Sequence, residues 1–445
     1  MVHTFNCLGR RFAVDTYSGS FFEIDALTQE IIDKFKNSSM INMEEFSRYP
    51  KEDVASALRE IEILKRESVL FSAPPIIDPP EFKGIIKSMC LNISHDCNLD
   101  CAYCFADGGG YGTHTMHMPL ATAKAAIDFL IASSGKAYNL EVDFFGGEPL
   151  LNFDVVQKTV AYARSLEKKH NKNFRFTLTT NAMYMPDSAI QFINLEMENV
   201  VLSIDGRDNV HNSMRKTKNG KDSFAHVVEN AKKLIAGRGD KSYFVRGTFT
   251  SHNIDFVQDV LALRALGFEQ ISLEPVTLPA SHSAAIGMQH VSAICDEYER
   301  LAAEYIARRA GDDWFSFFHF NLNLYDGPCE QKLLRSCGAG CAYIAVTPEG
   351  KIYPCHQFVG NDVYLIGDVI KGTYDKTVPL KFGRQNHVLE KPECDRCWAK
   401  YYCGGGCAAQ SVKYSGGLAQ SDTLSCTLMK KRVECALAIW AIEND

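Results

Sequence analysis

Sixteen cysteines in a chain of 445 residues constrain this protein more than any other feature of its sequence, because they are bunched. Three share one window: Cys97, Cys101 and Cys104. Nine fall between Cys329 and Cys426: Cys329, Cys337, Cys341, Cys355, Cys394, Cys397, Cys403, Cys407 and Cys426. Between Cys104 and Cys329 only Cys295 occurs. A chain this long buries a sizeable core without disulfide staples. Its first residues, Met1 to Val14, lack the apolar core of a secretion signal. Both points suggest a cytosolic protein, where disulfides are rare. Short cysteine spacings in a reducing compartment read as metal sites. With 47 Lys+Arg against 54 Asp+Glu, the net charge of −7 argues against a nucleic-acid binder. No apolar run reaches the roughly 18 residues of a membrane span.

The length suggests about three domains. Residues 1–75 read as a small module. Phe12-Ala-Val-Asp-Thr and Phe21-Phe-Glu-Ile flank the turn-rich Tyr17-Ser-Gly-Ser, a hairpin signal. Helical patterns follow near 26–35 and 51–65, and Ser68-Val-Leu-Phe suggests a returning strand. The set fits a winged-helix-like module. Pro74-Pro75-Ile-Ile-Asp-Pro79-Pro80 reads as a stiff linker. From 85 to 310 strands and helices alternate. Strands are expected near 88–94, 140–145, 174–179, 199–204, 243–249 and 270–274. Helices are expected near 119–133, 153–169, 187–197, 222–237, 255–266 and 289–309. This α/β pattern predicts a parallel sheet, open or partly closed into a TIM-like (β/α)6 barrel, with its chemistry at the strands' carboxyl ends. Residues 320–445 have shorter elements and most of the cysteines, which suggests a small cysteine-ligated core.

Cys97-Asn-Leu-Asp-Cys101-Ala-Tyr-Cys104 follows the first strand of that sheet. C-x3-C-x2-C wraps three thiolates around one centre. A four-iron cluster normally takes four cysteines, and no fourth lies nearby downstream, so one iron would stay open. Structural zinc, the rival, prefers four protein ligands and paired C-x2-C. Three ordinary buried cysteines are the bland alternative. The loop resembles that of the radical S-adenosylmethionine (SAM) enzymes, and the likeness continues at the next strand ends. Gly146-Gly147-Glu148-Pro149 resembles the segment that receives the methionine amino group of SAM. Thr179-Thr180-Asn181 and Ser203-Ile-Asp205-Gly206 resemble the polar strand ends used for its ribose and carboxylate. In His211-Asn-Ser-Met-Arg215, the arginine is similar to the family's carboxylate partner. Tyr103 is a candidate adenine contact or a packing residue. By this resemblance, electron transfer from the cluster cleaves bound SAM to a 5′-deoxyadenosyl radical, which takes a hydrogen atom from the substrate.

Cys337-x12-Gly350-x4-Cys355, Cys394-x2-Cys397-x5-Cys403-x3-Cys407 and then Cys426 resemble the SPASM domain of peptide-modifying radical enzymes. Two zinc ribbons are the alternative. The resemblance assigns Cys394, Cys397, Cys403 and Cys426 to one auxiliary cluster, and Cys337, Cys355 and Cys407 to another nearer SAM. The expected cofactors are therefore SAM and three [4Fe-4S] clusters. Cys341 or Cys329 could close the nearer cluster, or an iron could stay open to a substrate thiol. Cys7, Cys90, Cys295 and Cys435 fit no cluster spacing and read as small buried hydrophobes.

The N-terminal module resembles the RiPP recognition element, which captures the leader of a ribosomally made precursor as an added strand. A packing or dimerisation module is the alternative. Overall, including Cys337-Gly-Ala-Gly-Cys-Ala-Tyr-Ile-Ala-Val-Thr-Pro-Glu-Gly, the chain most resembles the SCIFF maturases, which join cysteine sulfur to an acceptor α-carbon in a cysteine-rich peptide. That resemblance implies a precursor peptide as partner and an external electron donor such as a flavodoxin or ferredoxin, with no nucleic acid or membrane. Candidate bases are Asp143, Glu274 and His356. The alternatives are another SPASM maturase of the sulfatase-activating or amine-dehydrogenase-maturing type, or a cluster-retaining scaffold. A tRNA-modifying enzyme would need a basic appended domain, which is absent from the pattern.

Overall fold

The computed structural model describes residues 1–38, 41–78, 82–322 and 334–444. Cys329 and Pro79-Pro80 lie outside them. At the N-terminus, β1 (Val2–Cys7), β2 (Arg10–Asp15) and β3 (Phe21–Glu23) form an antiparallel sheet in sequential order. The expected hairpin is β2–β3, and β1 is an addition that the sequence reading missed. Helices Ala26–Phe35 and Lys51–Arg66 follow. Residues 68–71 form no strand. Ser68 and Phe71 adopt φ of 57° and 56°, a left-handed conformation that no extended strand accommodates. The chain curls there instead, with Val69 and Leu70 donating to the Leu64 carbonyl at 2.9 and 3.1 Å.

The module packs in two directions. Val2 and Ala13 join Leu27, Ile31 and Ile32 in its own core, while Phe5, Cys7, Phe12 and Val14 enter the main core. His3 stacks on Trp398 at 4.0 Å and bonds Glu434 at 2.9 Å. The module is therefore fastened to the C-terminal region as well as tethered by a linker.

The large sheet is built from β4 (Ser88–Ser94), β6 (Asn139–Gly146), β7 (Asn173–Thr180), β8 (Asn199–Ser203), β10 (Ser242–Phe249), β11 (Gln270–Pro275) and β12 (Ser316–Phe317). Two short strands, β5 (Leu99–Cys101) and β9 (Arg215–Thr217), pair with each other outside it. β13 (Tyr343–Val346), β14 (Lys351–Tyr353), β15 (Gly367–Asp368) and β16 (Thr373–Tyr374) extend it. The order is β12-β11-β10-β8-β7-β6-β4-β13-β14-β15-β16. From β12 through β13 every neighbouring pair is parallel, and the last three pairings are antiparallel. The six strands expected from the sequence are all present. The sheet differs from expectation in reaching into the C-terminal region, where β13 lies parallel to β4.

Alternation decides what each face does. Leu140, Val142 and Phe144 of β6, Phe174, Phe176 and Leu178 of β7, and Tyr243, Val245 and Phe249 of β10 are buried in the main core. The other face carries Asp143, Phe145, Thr177, Thr179, Ser203, Arg246, Thr248, Ser272 and Glu274. A parallel sheet covered on both sides normally reads as continuous apolar strands. Polar residues on one face mean that this face lines a chamber. Helix Thr423–Asn444 packs on helix Val291–Arg308 and buries Leu428, Val433, Cys435 and Leu437. No helix among the described residues is long and apolar enough to cross a membrane.

Candidate functional site

A cavity of about 580 Å³ opens at the carboxyl ends of the strands. It is lined by Cys97, Cys101 and Cys104 from one side and by Cys337, Cys403, Cys407 and Cys426 from the other. Among the described residues all cysteines are free thiols. No three metal-ligating side chains there converge on a single ion.

The first cysteine loop is held by backbone. Ala102 donates to Met214 O at 2.8 Å, and Cys101 sits opposite Arg215 in the β5–β9 ribbon. Gly147 donates to Ser94 O at 2.7 Å and Glu148 N to Asp96 O at 2.8 Å. A Cβ on Gly147 would lie 2.1 Å from Asp96 O, so glycine is required for this close approach. Burial pushes the Cys97 thiol up to about 12 and Cys101 to about 11. The Leu99 amide donates toward Cys97 sulfur and Arg215 acts on Cys101, both favouring thiolate. Such thiols give up their protons when a bound metal replaces them.

The expected SAM-contacting residues divide into two groups. Tyr103, Gly146, Gly147, Thr180, Asn181, Ser203 and Arg215 line the cavity. Glu148 and Asp205 stand behind its wall. Glu148 Oε1 accepts from Leu150 N at 3.0 Å and Thr180 Oγ1 at 2.8 Å, and Oε2 from Asn181 N at 2.8 Å. Asp205, fully buried, accepts from Tyr103 Oη at 2.6 Å, Thr248 N at 2.9 Å and Arg215 Nε and Nη2 at 2.9 and 3.1 Å. Arg215 also lies 5.3 Å over the Tyr103 ring. The arginine expected to meet the SAM carboxylate thus already has two of its nitrogens held by Asp205, which fixes its plane. Asn181 Nδ2 bonds Asn98 at 2.8 Å and reaches Cys97 Sγ at 3.6 Å.

The C-terminal cysteines fall into two electrostatic neighbourhoods. Cys426 feels the charges of Cys403, Cys394 and Cys397, after burial has pushed it up to about 12. Cys355, also pushed up to about 12 by burial, feels Cys337 and Cys407. Amides are aimed at these sulfurs: Ala339 at Cys337, Gln357 and Phe358 at Cys355, Gly405 and Gly406 at Cys403. Gly404, Gly405 and Gly406 reach this arrangement with φ of 69°, 93° and 73°. Cys341 is buried, does not line the cavity and feels Cys337 and Arg335. Cys7, Cys90 and Cys435 are buried as expected, with Cys7 and Cys435 sulfurs 4.0 Å apart, whereas Cys295 is only partly buried.

The three candidate bases differ. Asp143 is pushed up to about 7, by burial first and then Glu141, but it lies below the cavity lining. Glu274 lines the cavity, yet Arg432 at 3.1 Å and His319 at 3.3 Å outweigh burial and hold it below its usual range, a poor base. His356 lines the cavity beside Phe145 at 4.7 Å and Phe105 at 5.4 Å, and its Nδ1 has no partner. Burial, with Arg246 and Lys413, lowers it to about 3, so the imidazole is neutral. Sequence reading missed Arg246 and Arg432. Arg246 was visible as a charge on the polar phase of β10; Arg432 shows no such signal on its helix.

Residues 91–265 match the Radical SAM superfamily. An uncharacterized protein of Methanocaldococcus jannaschii is 30% identical over 190 residues, 42% of this chain and 62% of that protein. The chain thus matches less than two thirds of this relative's length. The cysteine-type anaerobic sulfatase-maturating enzyme of Clostridium perfringens is 25% identical over 71% of this chain and 86% of its own. Among solved structures, native anSMEcpe with bound AdoMet and Kp18Cys peptide has a TM-score of 0.65 at 19% identity, covering 80% of this chain and 99% of that one. Streptococcus suis SuiB bound to precursor peptide SuiA has a TM-score of 0.54 at 14% identity, covering 95% and 98%. The fold is shared with both.

Proposed function

We propose that this chain is a radical SAM enzyme that matures a ribosomally made, cysteine-rich precursor peptide by joining cysteine sulfur to an acceptor α-carbon. The observation that carries this reading is one cavity lined both by Cys97, Cys101 and Cys104 and by Cys337, Cys403, Cys407 and Cys426. A hydrogen atom removed in that space leaves a carbon radical within the same walls as the C-terminal thiolates. Residues 85–310 would form the radical SAM core, 320–445 a SPASM domain with two auxiliary clusters, and 1–75 a leader-binding module. The similarity to a sulfatase maturase and to the SuiA-bound fold supports a peptide or protein substrate.

SAM bound at a [4Fe-4S] cluster on Cys97, Cys101 and Cys104 would supply a 5′-deoxyadenosyl radical for hydrogen-atom abstraction. The chain's residues fit that group: three thiols open onto the cavity, an amide aimed at Cys97, and a polar rim from Thr180, Asn181, Ser203 and Arg215. Asp205 holds Arg215 and Tyr103 in fixed orientation, so the rim is organised before a ligand arrives. Phe105, Phe145 and His356 stack along the cavity and give it an aromatic wall. Loss of the acceptor's α-hydrogen and of the thiol hydrogen removes two hydrogens per bridge. One leaves with the adenosyl group, and the remaining electron and proton would pass to the C-terminal clusters and to solvent. An external flavodoxin or ferredoxin would reduce the first cluster.

Anaerobic reconstitution with SAM, reductant and a cysteine-rich precursor tests the reading. Mass spectrometry should show a two-hydrogen loss and cysteines that resist alkylation. SAM cleavage with an unchanged peptide would favour the second reading, a maturase acting on a protein substrate, which the similarity to the sulfatase-maturating enzyme supports. Iron per chain in Cys341→Ala separates an open auxiliary iron, with iron retained, from a site that Cys341 closes.

A further inference from the structure

Lys391 is fully buried, at 0% exposure, and no carboxylate among the described residues pairs with it. Its Nζ donates to Gly405 O at 2.8 Å and, weakly, to Ser411 Oγ at 3.5 Å. Both acceptors are neutral. Other buried cations are better satisfied. Arg238 fans onto four backbone carbonyls, Lys172 onto two at 2.7 and 2.8 Å, and Lys400 has Asp395. Gly405 lies between Cys403 and Cys407, and Ser411 Oγ in turn bonds Cys407 O at 3.1 Å. The ammonium is therefore anchored to the loop that joins the two C-terminal cysteine sets.

A buried ammonium without an anion is strongly unfavourable, so a site of this kind calls for negative charge nearby. Geometry places Lys391 against the proposed ligands: the Cys394 amide donates to Lys391 O at 2.9 Å, and Gly405, whose carbonyl accepts from Nζ at 2.8 Å, lies between Cys403 and Cys407. Iron–sulfur potentials respond to net charge and burial around the cluster.

We infer that Lys391 is the built-in counter-cation of the auxiliary cluster on Cys394, Cys397, Cys403 and Cys426, and that it raises that cluster's reduction potential. This rests on the proposed reading that these cysteines carry a cluster. A cluster gaining one electron gains one negative charge, and a fixed cation beside it stabilises the reduced form. Lys391 is a positioning and tuning residue; it transfers no proton or electron itself.

The test uses the full chain with Cys97, Cys101 and Cys104 changed to Ala, so that only the C-terminal clusters report. Iron, sulfide and EPR-monitored reduction are measured with Lys391 intact and as Lys391→Met, Lys391→Gln and Lys391→Arg. Gln keeps a donor for Gly405 but no charge. The expected result is a more negative potential in Met and Gln, with Arg near the parent. Loss of iron in Met and Gln but not in Arg would equally support a need for charge. Full iron with an unchanged potential in Met and Gln overturns the proposal, as does iron loss in all three, which marks a packing role. If the parent itself binds no iron, the cluster reading falls, a result distinct from either.

Discussion

The two walls of the cavity are organised by different means. On the sheet side, the polar groups find partners within the protein. Asp205 accepts four hydrogen bonds, Glu148 accepts three, and Arg432 and His319 hold Glu274. Regular strands carry these residues to one edge. On the C-terminal side, helices such as Pro392–Asp395 and Lys400–Cys403 are a single turn long, glycines turn the backbone, and Lys391 is buried with neutral hydrogen-bond acceptors only. On the first wall, Asp205, Glu148 and Glu274 are each satisfied by protein groups. On the second, Lys391 finds only neutral acceptors, Gly405 O and Ser411 Oγ, and under the proposed reading a cluster among the cysteines supplies the anion. If the proposed clusters are bound, the difference separates a preorganised binding surface from a region whose stability is linked to what it binds.

The largest expected effect comes from stripping iron under anaerobic chelation. Amide exchange should then accelerate across 334–422 while β6, β7 and β8 stay protected. Equal loss in both regions would erase the distinction. Next, Asp205→Asn leaves Arg215 buried without its counter-charge and should cost about 3–5 kcal/mol in denaturant unfolding, since breaking a buried pair exposes the remaining charge. A loss below about 1 kcal/mol would show that the sheet wall is less dependent on this pair than its geometry implies.

Asp143 gives a pH test of the same wall. Its carboxyl keeps its proton up to about 7 when folded, against an ordinary value of 3.8. Between these values the folded chain binds more protons than the unfolded one, so stability falls as pH rises, by at most about 4 kcal/mol. Unfolding measured between pH 5.5 and 7.5 should show this decline in the parent and a flatter profile in Asp143→Asn. The smallest effect is expected at the fastening of the N-terminal module. His3→Ala removes the stack on Trp398 and the bond to Glu434, and should cost about 1 kcal/mol. Faster proteolysis near 74–78 would report it.

The regular part of the fold was readable because period-two alternation and helical spacing are local. The six strands lie within one residue of their expected limits. What escaped reading depends on partners distant in sequence. The β5–β9 ribbon pairs Cys101 with Arg215 through strands of three residues, too short for any period to show. β13 reads as a brief apolar run in a cysteine-rich stretch, and only tertiary pairing makes it a strand of the main sheet. Ser68–Phe71 has strand-like composition, but packing of Leu70, 1% exposed, sets its backbone. At the site, residue types were legible from motifs while their partners were not. The family resemblance pointed to Glu148, Asp205 and Arg215. That the two acids brace the wall, with Arg215 already paired, follows from hydrogen bonds no motif encodes.

The parallel pairing of β13 with β4 has a consequence for the order of events on the ribosome. β4 leads directly into the first cysteine loop, yet one of its two neighbours is supplied by Tyr343–Val346, some 250 residues later in synthesis. Until that segment emerges, the strand beneath Cys97 is an unprotected edge, a template for adventitious strand addition. A nascent chain halted before residue 343 should therefore bind strand-capturing chaperones through 88–94.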